Sequence, residues 1–103
     1  TTVRVPVVYG HSESVNIETR EKISATEVKA LLANAPGVKL TDDPQNNVYP
    51  LATDCAGKFE TFVGRIREDE SIENGINLWV VSDNILKGAA LNTIQIAELF
   101  IAD

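Results

Sequence analysis

The chain has 103 residues, 44% of them hydrophobic and 23% charged, and carries a net charge of −6. A length of that order supports one thin hydrophobic core and excludes a second complete domain. One cysteine and one histidine exclude an internal disulfide and a structural zinc site, and a pI near 4.7 argues against a nucleic-acid partner held by neutralised phosphates. No apolar run approaches the ~20 residues of a membrane-crossing helix. The first residues lack the charged start and apolar stretch of a secretion signal. The expectation is a cytoplasmic chain with no membrane partner and no metal.

In chain order, Val3, Val5 and Val7 alternate with Arg4, Pro6 and Val8, the period of two that predicts a first strand. Pro6 cannot donate to a ladder, which favours an edge or an irregular position for that strand. Gly10 permits a sharp change of direction. A second alternating run follows, in which Val15 and Ile17 point one way and Ser14, Asn16 and Glu18 the other. Ser24 and Glu27 form a capping box, Val28, Leu31, Leu32 and Ala35 follow at helical spacing, and Pro36-Gly37 ends the helix.

Residues 41–50 are rich in turn formers (Asp42, Asp43, Pro44, Asn46, Asn47, Pro50) and read as a surface connection. Strands are predicted over 59–67 and 76–82, the latter entered through Asn74-Gly75 and apolar enough to be central in a sheet. The segment 84–100 reads as a helix apolar nearly all round, including Ile85, Leu91, Ile94, Ile96, Leu99 and Phe100. Such a helix needs cover on more than one side, from another chain or another part of the same one. The fold class is α+β, a mixed sheet with helices packed on it.

Two residues suggest a site. His11 sits in the bend after Gly10, where a sheet can hold an imidazole suited to proton transfer near neutral pH. Arg4 offers a guanidinium suited to bidentate capture of a carboxylate. Taken singly, a loop histidine and a strand arginine are ordinary surface residues. Seven residues of straight strand would separate them by ~23 Å, so a joint site requires Gly10 to fold His11 back. Cys55, beside Asp54, lacks the positive surroundings of a reactive thiolate and reads as a small residue in a loop or at a strand edge. Arg65 and Arg67, close to Glu68 and Asp69, read as structural ion-pair partners on one strand face. Asp83 and Asn84 read as caps of the last helix, and an Asn amide there also offers a donor and an acceptor to a carboxamide.

Three stretches in register carry a resemblance: Arg4-Val5-Pro6-Val7 with Gly10-His11-Ser12-Glu13, then Phe62-Val63-Gly64-Arg65-Ile66-Arg67-Glu68-Asp69, then Asn77-Leu78-Trp79-Val80-Val81-Ser82-Asp83-Asn84-Ile85-Leu86-Lys87-Gly88-Ala89-Ala90. Together they resemble the C-terminal part of bacterial aspartate-semialdehyde dehydrogenase, over almost the whole chain. The resemblance implies part of the catalytic and dimerisation domain of a two-domain, homodimeric or tetrameric enzyme, akin to the C-terminal domain of glyceraldehyde-3-phosphate dehydrogenase. Residues 1–103 would then be the C-terminal portion of that domain, with 84–103 a helix packing on an NADP-binding domain outside this chain.

The implied reaction reduces aspartyl phosphate to the semialdehyde with NADPH and releases phosphate, in lysine (by way of diaminopimelate), methionine and threonine biosynthesis. It passes through a thioester on a cysteine. By position, Arg4 matches the family's substrate-carboxylate arginine, His11 its acid-base histidine, and Asn84 the place where the C-terminal segment meets the nicotinamide end of the cofactor. The family's Asn-Cys-Ser/Thr nucleophile motif and its glycine-rich dinucleotide turn do not occur in these 103 residues, and Cys55 does not align with the nucleophile. The chain is therefore expected to be inactive alone. Two rival readings are a stand-alone module holding a small carboxylate through Arg4, and a paralogue that only oligomerises.

Overall fold

The structure is a computed structural model describing residues 2–101. A four-stranded mixed sheet has the order β1-β4-β3-β2, with β1 at His11–Glu18, β2 at Val38–Leu40, β3 at Thr61–Asp69 and β4 at Gly75–Ser82. β4 pairs antiparallel with both β1 and β3, and β2 pairs parallel with β3. The expected α+β class and the central position of β4 hold.

Helix α1 spans Ala25–Ala33, and its capping box is complete. The Ser24 hydroxyl accepts the Glu27 N–H at 3.2 Å, and the Glu27 carboxylate accepts the Ser24 N–H at 2.8 Å. Val28 and Leu32 from α1 pack on Val63, Ile66, Ile76 and Leu78, whereas Leu31 faces away, 65% exposed. The opposite face of the sheet packs Phe62 and Val81 against Cys55 and Ala52 of α2, which spans Ala52–Cys55. Alternation along β4 supplies both cores. Ile76 and Leu78 serve the first, and Val81, with half-buried Trp79 packed beside it, serves the second.

Four sequence expectations need correction. Residues 3–8 form no strand. They lie exposed ahead of β1, and the Val7 N–H bonds back to the Val5 carbonyl at 2.8 Å, a three-residue turn around Pro6 in place of a ladder. Cys55 lies in α2 and is fully buried, because the short helix turns it under Phe62 and Val81.

The connection over 41–50 is exposed only in its middle. Asp42 at one end has a side chain 1% exposed, and Pro50 at the other is buried. The last segment is not one helix from 84. A π-helical turn over Leu86–Ala90 leads into α3, Leu91–Ile101, and residues 102 and 103 of the expected helix lie outside the described residues. The wider turn arises because the Asp83 carbonyl takes the Gly88 N–H at 3.1 Å and the Ile85 carbonyl takes the Ala90 N–H at 2.9 Å, both five residues on. Among the described residues no helix is long and apolar enough to cross a membrane.

Candidate functional site

The ladder between β1 and β4 begins at His11, opposite Ser82. Gly10, one residue earlier, has a φ of 97°, a conformation that a side chain strongly disfavours. Its N–H donates to the Asn84 side-chain oxygen at 2.8 Å, across 74 residues of sequence. The bend foreseen at Gly10 is therefore present, and it joins the stretch around His11 to the stretch around Asn84.

Asn84 is held from behind by its neighbour. The Asp83 side chain, in a residue 4% exposed, accepts the Gly57 N–H at 2.8 Å, the Ile85 N–H at 2.8 Å and the Leu86 N–H at 2.9 Å. The bond from Gly57, then that from Leu86, keeps the Asp83 carboxyl below the ordinary aspartate range, against the opposing effect of burial. The expected cap at the start of the last helical segment is thus present at Asp83, and it also fixes the end of α2. Asn84 caps nothing and reaches the other way. Its amide nitrogen has no hydrogen-bond partner among the described residues and, on a half-buried residue, remains free to donate. A free amide donor of this kind suits a carbonyl oxygen.

Arg4 is exposed, on the irregular segment before Gly10. Neither Arg4 nor His11 lines the open groove of about 370 Å³ bordered by Ser12, Tyr49, Pro50, Leu51, Arg65 and Trp79. Strand alternation explains why His11 is outside it. Ser12 lies on the Trp79 side of the sheet, and His11 shares the other side with Glu13 and Val15. The sequence pairing of Arg4 with His11 therefore gains a fixed conformation at Gly10, with His11 as the first residue of β1 rather than part of the bend, and neither residue borders that groove.

The groove rests on a feature that sequence reading missed. Arg65 and Ile66 together oppose Leu78, a β-bulge, with Arg65 at a φ of 52°. Ile66 turns into the core, and the Arg65 guanidinium lies 5.8 Å from the Tyr49 ring centre. Arg67 donates to the Arg65 carbonyl at 2.8 Å. The ion pairs expected of these arginines are absent among the described residues, because the bulge breaks the alternation that would have set them side by side. Lys22 pairs with Glu68 instead, at 2.8 Å. Burial pushes the Cys55 thiol up, which agrees with an inert core cysteine.

Comparison with known proteins places this geometry. A family model described as semialdehyde dehydrogenase, dimerisation domain, matches residues 1–87. Aspartate-semialdehyde dehydrogenase from Aquifex aeolicus is 54% identical over 103 residues, all of this chain and 30% of that protein. The Bacillus subtilis protein of the same name is 56% identical over 99 residues, 95% of this chain and 29% of its own length. The crystal structure of aspartate semialdehyde dehydrogenase II from Vibrio cholerae superposes with a TM-score of 0.88 at 48% identity, covering 97% of this chain and 29% of that one. A further structure of that enzyme, complexed with ASA, gives 0.89. The chain spans about 30% of the length of these curated relatives. With a match of that identity along its whole length, the chain belongs to the aspartate-semialdehyde dehydrogenase family and corresponds to the C-terminal part of such an enzyme.

Proposed function

We propose that this chain works as the C-terminal part of an NADPH-dependent, cytoplasmic, homo-oligomeric oxidoreductase that reduces aspartyl phosphate to aspartate semialdehyde and releases phosphate. The observation that carries this reading is the bond from the Gly10 N–H to Asn84, since it draws together the two segments to which the family assigns proton transfer and the nicotinamide end of the cofactor.

In this reading His11 moves the proton at the reacting sulfur and oxygen. An imidazole is suited to proton transfer near neutral pH. Arg4 takes the substrate carboxylate with two parallel hydrogen bonds. The thiol comes from outside these 103 residues, because Cys55 is buried. The free amide nitrogen of Asn84 fits the nicotinamide carboxamide, and the cofactor when bound supplies the hydride. The exposed apolar residues of the last segment, Ile94, Ile96, Leu99 and Phe100 among them, cover part of the cofactor-binding domain of the same polypeptide.

The test uses the full-length enzyme. Replacing His11 by Asn lowers turnover by about 10²-fold or more with substrate binding retained. Parental turnover in that variant would remove His11 from the chemistry. The 103-residue chain assayed alone shows no reduction of aspartyl phosphate, and measurable activity there would refute the need for a sulfur from elsewhere.

A further inference from the structure

We propose that Asn84 is a positioning residue for His11, acting through the main chain of Gly10, and that only the nitrogen end of its carboxamide is left to meet a ligand. This rests on His11 being the acid-base group.

Gly10 carries a backbone donor that finds its acceptor outside the ladder. The β1–β4 ladder ends at the pair His11 and Ser82, and β4 closes at Ser82 while the chain turns into the helical segment. Gly10 lies one step beyond the ladder. Its N–H meets no β4 carbonyl, and the side-chain oxygen of Asn84 stands in for the missing strand at 2.8 Å. A half-buried amide left without an acceptor is costly, so the bond decides where Gly10 sits. His11 follows directly and takes its backbone direction from that placement.

Two further observations make Asn84 rigid enough for the task. Asp83 anchors it through three backbone donors from two different segments, Gly57 and then Ile85 and Leu86. Gly10 is also closely flanked: a Cβ there would stand 3.4 Å from the Ala52 Cβ and 3.5 Å from the Ser82 carbonyl oxygen. The N–H donor at Gly10 also fixes which way the carboxamide points. Oxygen must face Gly10, because an amide nitrogen cannot accept, and the NH₂ group faces outward. One side chain thus holds the proton-transfer segment with one end and presents a donor with the other.

The experiment compares Asn84→Ala, Asn84→Asp and His11→Asn in the full-length enzyme, reading kcat, cofactor KM and amide hydrogen exchange at Gly10. Asn84→Ala speeds Gly10 exchange by roughly tenfold or more and lowers kcat by about tenfold, the scale of one hydrogen bond. Asn84→Asp keeps an accepting oxygen and loses the donor. It restores Gly10 protection and most of kcat while cofactor KM stays raised. The proposal is overturned if Asn84→Ala raises only cofactor KM and leaves kcat and Gly10 exchange parental. It is equally overturned if Asn84→Asp rescues neither, which marks a merely structural residue. Parental kcat in His11→Asn sinks the role given to His11 and this proposal with it. Gly10 exchange, which reports the hydrogen bond without turnover, tells that outcome apart from the other two.

Discussion

The Asp42 carboxylate accepts the backbone N–H of Arg65 at 2.8 Å, and its second oxygen accepts that of Ile66 at 3.2 Å. The β3 bulge turns these donors away from the ladder. Lys29 of α1 completes the arrangement, 2.9 Å from the same carboxylate, so one buried side chain ties a helix to a strand irregularity. Replacing Asp42 by Ala leaves two amides and a half-buried ammonium without their acceptor. The expected loss is about 3 kcal/mol of stability, read as a lower urea midpoint at unchanged slope. A loss below about 0.5 kcal/mol would show that water replaces the carboxylate.

Gly64 tests how tightly the connection over 41–50 lies on the sheet. A Cβ at this position collides with the Thr41 carbonyl oxygen and stands 2.6 Å from the Pro50 Cδ. A backbone carbonyl and a proline ring cannot swing aside as a flexible side chain can. Gly64→Ala therefore costs about 1–3 kcal/mol through overpacking, measurable by thermal or chemical denaturation. Parental stability would mean that the loop lifts off freely.

Acid sensitivity follows from Asp83. Its carboxyl is lowered by the N–H groups of Gly57, Leu86 and Ile85, so the folded chain binds that proton less tightly than the unfolded one. The stabilisation is complete above the ordinary aspartate value of about 3.9 and is lost as pH falls through the lower folded value. Glu27 beside Ser24, Asp43 beside Asn46, Glu68 beside Lys22 and Asp69 beside Ser71 shift the same way. Asp83→Asn is less stable than the parent at pH 7, and the difference narrows below about pH 4. Denaturation curves at both pH values check this, and a gap that widens in acid contradicts it.

Cys55 is fully buried, with its thiol pushed up by desolvation. A thiol reagent at pH 8 labels it in the folded protein at least about 100-fold more slowly than in denaturant. Rapid native labelling would place it at an accessible site.

For Arg4 the expected outcome concerns the full-length enzyme. Arg4→Lys raises the substrate KM by the worth of one charged hydrogen bond, about 1.5–3 kcal/mol, with kcat less affected. Unchanged kinetics take Arg4 out of the site.

Local sequence was sufficient wherever neighbours in the chain supply the interaction. Ser24 and Glu27 satisfy each other's donors within one helical turn, the alternation of β1 and β4 sorts side chains between two faces, and Gly10 alone permits its bend. The valines at 3, 5 and 7 carried an equally clear period of two but formed no strand, because alternation describes a face and cannot provide a partner strand to bond with. The bulge at Arg65 is bonded to Asp42, 23 residues away, and Gly10 to Asn84, 74 residues away. Sequence determined the family, the sheet class and the residues worth testing. Only the tertiary structure decided which of them meet, since a hydrogen bond depends on a few tenths of an ångström between groups that the chain order keeps far apart.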